Sequence, residues 1–204
     1  GQKKRRMSAA FFDKNLKLIK SFPLNKIQLE KLVHSDIAKE SWHILFSSAE
    51  KMRTTINSPK SQLLKYFESE KYKNQDIIQK ISVEQALAEM NVIQISLAYE
   101  TEEIANNYAK RINSEFEGAF LANMNLNCID ICAKGINKAQ GVKKLLNLQK
   151  DKYFEQVLTI GDAQNDVPMI KEFEGYSLNS ATIHAKNIAT KLYDSVGEML
   201  LDNL

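Results

Sequence analysis

The sequence predicts an α/β protein, because segments with strand character and segments with helix character alternate along the chain. An apolar run at 156–160 ends directly in Gly161-Asp162, which is typical of a buried parallel strand. The chain has 204 residues, 44% of them apolar and 26% charged, enough for one larger domain or two small ones. This composition excludes a wholly disordered chain.

The first two thirds of the chain is predicted to be a mixed α/β region. Its strands are expected at 16–22, 42–46, 92–98, 119–124 and 128–132. Its helices are expected to begin at the cap Asn25, at Ser58-Pro59, at a capping box of Ser82 and Gln85, and at Thr101. The last of these helices is amphipathic and extends to 116, with Ile104, Tyr108, Ile112 and Phe116 on one stripe.

The last third is predicted to resemble the end of a doubly wound parallel sheet. A helix is expected at 137–148, a strand at 156–160, a helix at 165–173, a strand at 176–178 and then two short helices. We therefore expect three parts: a basic tail at 1–10, an α/β domain at 11–133 and a second domain at 134–204.

Charge and cysteine content narrow the set of partners. The net charge is only +3, and a good part of the excess lies in the run Lys3-Lys4-Arg5-Arg6. A nucleic-acid contact through this run is one alternative, but a charge run at a terminus is usually solvated, so we expect no nucleic-acid partner. No apolar stretch reaches the ~18 residues of a membrane span, so we expect no membrane partner. Two cysteines cannot form a disulfide framework, which favours a reduced, cytoplasmic setting.

The segment 157–166 carries the strongest chemical signal. The acid Asp162 follows the predicted strand, and Asn165 and Asp166 come within the next few residues, at the start of a helix. Ligands bind at the carboxyl ends of strands in open α/β sheets, and hard oxygen ligands beside a helix start suit Mg²⁺ with a phosphate. The alternative is that Asp162 and Asn165 merely cap the helix.

A second signal lies upstream, where Asn137 can cap a helix and place Lys138 in its first turn. A cation there opposes the helix dipole, so an anion is expected nearby. The alternative is a solvated surface lysine.

Together these segments resemble the Cof-type sugar-phosphatase branch of the haloacid dehalogenase (HAD) superfamily. The segment Gly135-Ile136-Asn137-Lys138 is similar to the third motif of the branch, Gly-Val-Ser-Lys. The segment 161–170 is similar to its fourth motif, Gly-Asp-x-x-Asn-Asp-x-x-Met-Leu. Downstream, 179–189 follows the pattern Asn-Ala…Val-Lys…Ala, with Ser180 in place of the usual Asn.

The resemblance implies a fold, a reaction and roles for residues. Residues 134–204 would be the C-terminal half of a Rossmann-like doubly wound core, and 11–133 its α/β cap. The reaction would be Mg²⁺-dependent hydrolysis of a small phosphorylated metabolite. Asp162 would be a ligand of the metal, and Asp166 would serve the metal site directly or through water. Lys138 and Asn165 would hold phosphate.

The family's nucleophile motif, Asp-x-Asp-Gly-Thr, does not occur in this sequence. Its nearest imitation places Asp13 after an apolar run, but Asn15 stands where the second aspartate belongs. We therefore expect that the chain represents the cap and the second half of the core, that it is inactive alone, and that an N-terminal core segment is a further partner. The alternative is a non-catalytic phosphate- or partner-binding module derived from the same fold.

Metal chemistry elsewhere in the chain is not expected. Cys128 and Cys132 lie on one predicted strand and share a face, without the second ligand pair that a zinc site requires. The three histidines, His34, His43 and His184, have no metal-ligand spacing.

Overall fold

Strands and helices alternate along the chain, so the predicted mixed α/β class is confirmed. The structure is a computed structural model that describes residues 10–12, 15, 17–69, 78–149 and 154–203. It divides into two units, Gly1–Ile136 and Asn137–Leu204. In the part of the chain that is described, no helix is long and apolar enough to cross a membrane.

The first unit contains eight strands and five helices among its described residues. The strands are β1 (Ala10–Phe12), β2 (Leu18–Ser21), β3 (His43–Ser47), β4 (Met52–Ile56), β5 (Ile78–Lys80), β6 (Gln94–Ala98), β7 (Phe120–Asn125) and β8 (Cys128–Ala133). The helices are α1 (Lys26–Val33), α2 (Asp36–Lys39), α3 (Gln62–Glu68), α4 (Val83–Glu89) and α5 (Glu102–Glu115).

A six-stranded sheet in the order β5-β4-β3-β6-β8-β7 forms the centre of the first unit. The β4–β5 pair is parallel and the other pairs are antiparallel. Alternate residues of the middle strands point to one face, where Phe46, Ile95 and Ile131 are fully buried. Leu32 of α1 and Ile112 of α5 belong to the same core cluster, so these helices cover that face.

The strands β1 and β2 form a separate antiparallel hairpin in the first unit. Ala10 packs with Ile93 and Ile136 in a small apolar cluster of its own. The rings of Phe11 and Phe22 meet edge to face at 5.7 Å, which adds a favourable aromatic contact at the base of the hairpin.

The second unit is a small parallel sheet with flanking helices. Its described elements are α6 (Lys138–Leu148), β9 (Ile160–Gly161), α7 (Val167–Glu172), β10 (Tyr176–Leu178), α8 (Ile183–Lys186), β11 (Leu192–Tyr193) and α9 (Val196–Asn203), with a 3₁₀ turn at Gln164–Asp166. The strand order is β11-β10-β9, and both pairs are parallel.

Most of the predicted helix starts are confirmed by side-chain hydrogen bonds. Asn25, Ser82, Thr101 and Asn137 each accept a backbone N–H of the first helical turn. Ser82 and Gln85 form the predicted capping box in both directions.

The prediction of a helix start at Ser58-Pro59 is wrong. The helix begins at Gln62, and its cap is Ser61, which accepts the N–H of Leu63. Ser58 instead accepts the N–H of Lys60 with its side chain, and the chain turns there before the helix begins. A Ser-Pro pair serves a turn as well as a helix start, so the sequence did not separate the two.

One predicted strand is shorter in the structure, and one predicted apolar stripe lies elsewhere on its helix. Of the predicted strand at 156–160 only Ile160 lies in the parallel ladder, followed there by Gly161, because the neighbouring strand β10 begins at Tyr176, directly after a turn. On α5 the buried residues are Ala105, Ala109 and Ile112, whereas Ile104 is exposed. Small alanines allow a helix to lie close to the sheet, so the buried stripe is rotated from the one drawn through the larger side chains.

Candidate functional site

The carboxyl ends of β9, β10 and β11 lie at one edge of the parallel sheet of the second unit, because all three strands run in the same direction. The loop after β9 carries Asp162, the loop after β10 carries Asn179 and Ser180, and Asp194 follows β11. This edge is where open α/β sheets bind ligands.

The loop after β9 is organised around the buried carboxylate of Asp166, which is only 2% exposed. Its Oδ2 accepts the backbone N–H of Asp162 and that of Ala163, both at 3.1 Å. Its Oδ1 forms an ion pair with Nζ of Lys138. Burial by itself raises the pKa of Asp166, but the hydrogen bond and the charge of Lys138, with help from the two N–H groups, hold that pKa below its ordinary value.

Lys138 lies in the first turn of α6, whose cap Asn137 accepts the N–H of Gln140 at 2.9 Å. The sequence predicts an anion beside this lysine, and the structure contains one, the carboxylate of Asp166. The side chain of Lys138 is still 40% exposed. Because an ammonium group has three donors, the pairing with Asp166 leaves donors for a second anion.

Asp162 and Asn165 are exposed, in contrast to Asp166. Neither side chain has a hydrogen-bond partner among the described residues, so the capping role considered for them in the sequence is wrong for both. The loop is capped by Asp166 instead, through the N–H of Ala163. The backbone carbonyl of Asp162 accepts the N–H of Thr182 at 2.9 Å, which joins the loop after β9 to the loop after β10.

Two small residues, Gly161 and Ser177, support this loop, and only Gly161 is expected from the sequence. Gly161 is expected from its place at the strand end, and the structure gives the reason: an added Cβ would overlap Cβ and Cγ of Asp166. Ser177 was not anticipated. It is fully buried on β10, and its hydroxyl donates to the carbonyl of Gly161 at 2.8 Å. The only signal in the sequence is a small polar residue within a strand.

Ser180, which stands where the family pattern has Asn, is exposed at this edge of the sheet. Its neighbour Asn179 is engaged within the unit: its side-chain amide donates to Asp194 at 2.6 Å, and its N–H donates to the carbonyl of Tyr193 at 2.9 Å. Asn179 thus connects the ends of β10 and β11.

The remaining candidates do not form a metal or nucleophile site in the part of the chain that is described. No group of three or more His, Cys, Asp or Glu side chains there is arranged to hold a metal ion. Cys128 and Cys132 are free thiols, and burial, with some repulsion from Asp130, raises the pKa of both, that of Cys132 to about 12. Asp13 and the basic run at 3–6 lie outside the described residues.

The first unit has a groove of about 650 Å³ that extends from Pro23 to Lys134. None of the predicted site residues lines it, and it contains one acid, Glu117, and one base, Lys134.

Comparison with known proteins adds a family match over nearly the whole chain. The family model of haloacid dehalogenase-like hydrolases matches residues 9–198. No curated protein sequence matches the chain.

The solved structures with a similar fold include haloacid dehalogenase-like hydrolases. One from B. subtilis, a haloacid dehalogenase-like hydrolase, has a TM-score of 0.77 at 17% identity over 97% of this chain and 77% of its own. Another from Bacteroides thetaiotaomicron has a TM-score of 0.71 at 18% identity over 96% and 74%. A HAD subclass IIB sugar phosphatase has a TM-score of 0.72 at 17% identity over 95% and 72%. Across these three and five further matching structures, the chain spans between 64% and 77% of their length.

Proposed function

Because the chain belongs to the haloacid dehalogenase-like hydrolases, we propose that it works in the Mg²⁺-dependent hydrolysis of small phosphorylated metabolites, as a Cof-type phosphatase. The observation that carries this proposal is the loop after β9, where a buried, paired Asp166 supports an exposed Asp162 at the carboxyl edge of a parallel sheet. The likeness to a subclass IIB sugar phosphatase supports the same reaction class.

The donor set at this edge fits a magnesium ion held mainly by water and substrate. Mg²⁺ is commonly bound by one or two carboxylates together with phosphate oxygens and several waters. Asp162 would supply a carboxylate directly, since its side chain is exposed. Asp166 would act on the metal only through water, since Lys138 and two N–H groups already occupy its oxygens. When bound, Mg²⁺ would screen the charge of the phosphate.

Lys138 and Asn165 would bind the phosphate of the substrate. Lys138 has one donor engaged by Asp166 and keeps an exposed side chain, so it can contact a phosphate oxygen as a point charge. Asn165 is exposed on the same loop as Asp162, and its amide can donate to a second oxygen.

The nucleophilic aspartate would come from an N-terminal core segment outside this sequence, because residues 1–204 contain no Asp-x-Asp-Gly-Thr. Two observations support a further strand beside β9. No strand pairs with the outer edge of β9 among the described residues. The matching solved structures are also longer than this chain. Residues 11–133 would be the cap of the complete enzyme, and the two free cysteines support a cytoplasmic setting.

A phosphomonoester assay tests the proposal. The chain as written should give no Mg²⁺-dependent turnover, and the chain preceded by a segment that contains the nucleophile motif should turn over the substrate. In that longer protein, Asp162→Asn should lower turnover by at least ~10²-fold, as the loss of one preorganised electrostatic group does. Activity within a few-fold of the parent protein would show that Asp162 does not serve the reaction.

The second candidate function is a non-catalytic module that binds phosphate or a partner. The observation that favours it is again the sequence without a nucleophile motif. Phosphate binding by the chain as written, together with a start codon at its beginning and no upstream motif, would favour the module over the enzyme.

A further inference from the structure

Five hydrogen bonds hold the backbone at the end of β9. Three backbone carbonyls accept: that of Gly161 from the Ser177 hydroxyl at 2.8 Å, that of Asp162 from the Thr182 N–H at 2.9 Å, and that of Ala163 from the Asp166 N–H at 3.0 Å. The N–H groups of Asp162 and Ala163 both donate to the Asp166 carboxylate at 3.1 Å. The side chain of Asp162 is left exposed.

Ser177 differs from the other partners because it is a side chain from the neighbouring strand. It lies opposite Gly161 in the parallel register of β9 and β10, and its residue is 0% exposed. A buried hydroxyl is unfavourable unless it is hydrogen-bonded, and the Ser177 hydroxyl has the carbonyl of Gly161 as its acceptor.

The carbonyl of Gly161 and the N–H of Asp162 belong to one peptide plane. Ser177 holds that plane by its carbonyl, and Asp166 holds it by its N–H. Rotation of this plane would move the amide nitrogen of Asp162, and the direction of the Cα–Cβ bond would change with it, because both bonds share the Cα. Two opposed hydrogen bonds therefore fix the backbone position from which the Asp162 side chain projects.

We propose that Ser177 is a positioning residue, which fixes the Gly161–Asp162 peptide through its buried hydroxyl so that the Asp162 carboxylate is preorganised at the carboxyl edge of the sheet. The benefit to the reaction rests on the proposed function, in which Asp162 serves the metal. The positioning itself does not, because it depends only on contacts within the second unit. Preorganised groups of this kind avoid the cost of ordering a loop when the ligand binds.

The experiment is amide hydrogen exchange, measured by NMR on the chain as written, in wild type and in Ser177→Ala. The exchange rates of the Asp162, Ala163 and Thr182 amides should rise by roughly fivefold, the factor that corresponds to one net hydrogen bond. The amide of Phe173, which bonds to Met169 at the end of α7, should keep its rate. Unchanged rates at all three loop amides would overturn the proposal.

Thr159→Val is the matched control, because Thr159 is also a buried hydroxyl residue of this sheet region and its Oγ1 has no partner among the described residues. It should leave the loop rates unchanged, and an equal acceleration in this variant would overturn the specific role of Ser177. If Ser177→Ala does not fold, Ser177→Cys is measured by the same criterion, since its thiol fills similar space but donates weakly.

A Mg²⁺ titration of the same proteins, followed by NMR, separates this inference from the proposed function. Faster exchange in Ser177→Ala, with a Mg²⁺ response of the wild-type Asp162 amide that Asp162→Asn abolishes, supports both. Faster exchange without any Mg²⁺ response supports the positioning role and counts against Asp162 as a metal ligand. Unchanged exchange overturns the positioning role whatever the metal response.

Discussion

The replacement of Lys138 by alanine should destabilise the protein although Lys138 is 40% exposed. The reason is its partner, Asp166, which is 2% exposed. Burial disfavours the charged carboxylate, but the pKa of Asp166 still lies below its ordinary value, because Lys138 and the loop N–H groups favour the charged form. Removing the ammonium leaves that carboxylate with the two backbone N–H groups of the loop.

The size of the loss follows from what remains around Asp166. A hydrogen bond to a charged group is worth ~1.5–3 kcal/mol, and a fully buried, uncompensated charge costs ~3–5 kcal/mol. In Lys138→Ala the two N–H bonds to Asp166 persist and water can enter the space that the lysine leaves. The loss should therefore fall in the range for one hydrogen bond to a charged group, not in the range for an uncompensated buried charge. Removal of a cation from a first helical turn returns ~0.3–1 kcal/mol. The net loss in the free energy of unfolding should be about 1.5 kcal/mol.

Urea unfolding of wild type, Lys138→Ala and Lys143→Ala measures this loss. Lys143 is the matched control, because it lies on the same helix and pairs with Glu172 with a side chain that is 41% exposed. Exposed pairs contribute little, so this variant should lose at most about 0.5 kcal/mol. Equal losses in the two variants, or a stable Lys138→Ala, would show that the Asp166 pair does not hold the loop.

The pH dependence gives a second check on the same pair. The folded state lowers the pKa of Asp166 below its ordinary value of 3.8, so its stabilisation is present above that value and is lost as the pH falls through the lowered pKa. Without Lys138 the carboxyl should protonate at higher pH. The difference in stability between wild type and Lys138→Ala should therefore shrink in acid, and a constant difference would argue against a charge effect.

Three further predictions concern other positions. Gly161→Ala should cost about 1–3 kcal/mol in urea unfolding, because the new Cβ overlaps Asp166, whereas Gly197→Ala, whose Cβ would meet only Oγ of Ser195 at an ordinary contact distance of 3.7 Å, should cost nothing. Burial lowers the pKa of His43 to about 4 from 6.5, so the stability should fall as the pH drops from 6.5 toward 4, by about 2 kcal/mol at pH 5, and this slope should flatten in His43→Leu. Asn113→Leu should produce concentration-dependent dimers in sedimentation, because the Asn113 amide occupies a backbone N–H and carbonyl on β7, which is an edge strand among the described residues; a strictly monomeric variant would contradict this.

The parts of the fold that the sequence predicted best are those specified by neighbours in the chain. The caps Asn25, Ser82 and Asn137 were identified because a cap and the backbone N–H that donates to it lie within one helical turn. The strands β1, β4, β5 and β11 were missed. Three of them, β1, β5 and β11, have only two or three residues. The longer β4 contains the polar Thr54 at a fully buried position, where its hydroxyl donates to the carbonyl of Ile44 across the sheet.

In the candidate site, too, the contacts between residues that are distant in sequence were not predicted. The sequence brings Asp162, Asn165 and Asp166 into one loop, but it does not reveal which acid is buried, since both are acids beside a helix start. That difference depends on Lys138, 28 positions away in sequence, and on the packing of α6 against α7. Ser177 was missed for the same reason, because its partner Gly161 lies on another strand.

Asp162 and Asp166 differ in what their side chains contact, so their replacement should have different effects. Asp166 satisfies two N–H groups and a lysine, so a change there disturbs the loop before any ligand binds. Asp162 has its backbone held on both sides while its side chain stays exposed, so its replacement should leave the fold nearly intact. Asp162→Asn should therefore alter ligand binding without altering stability, and Asp166→Asn should alter both.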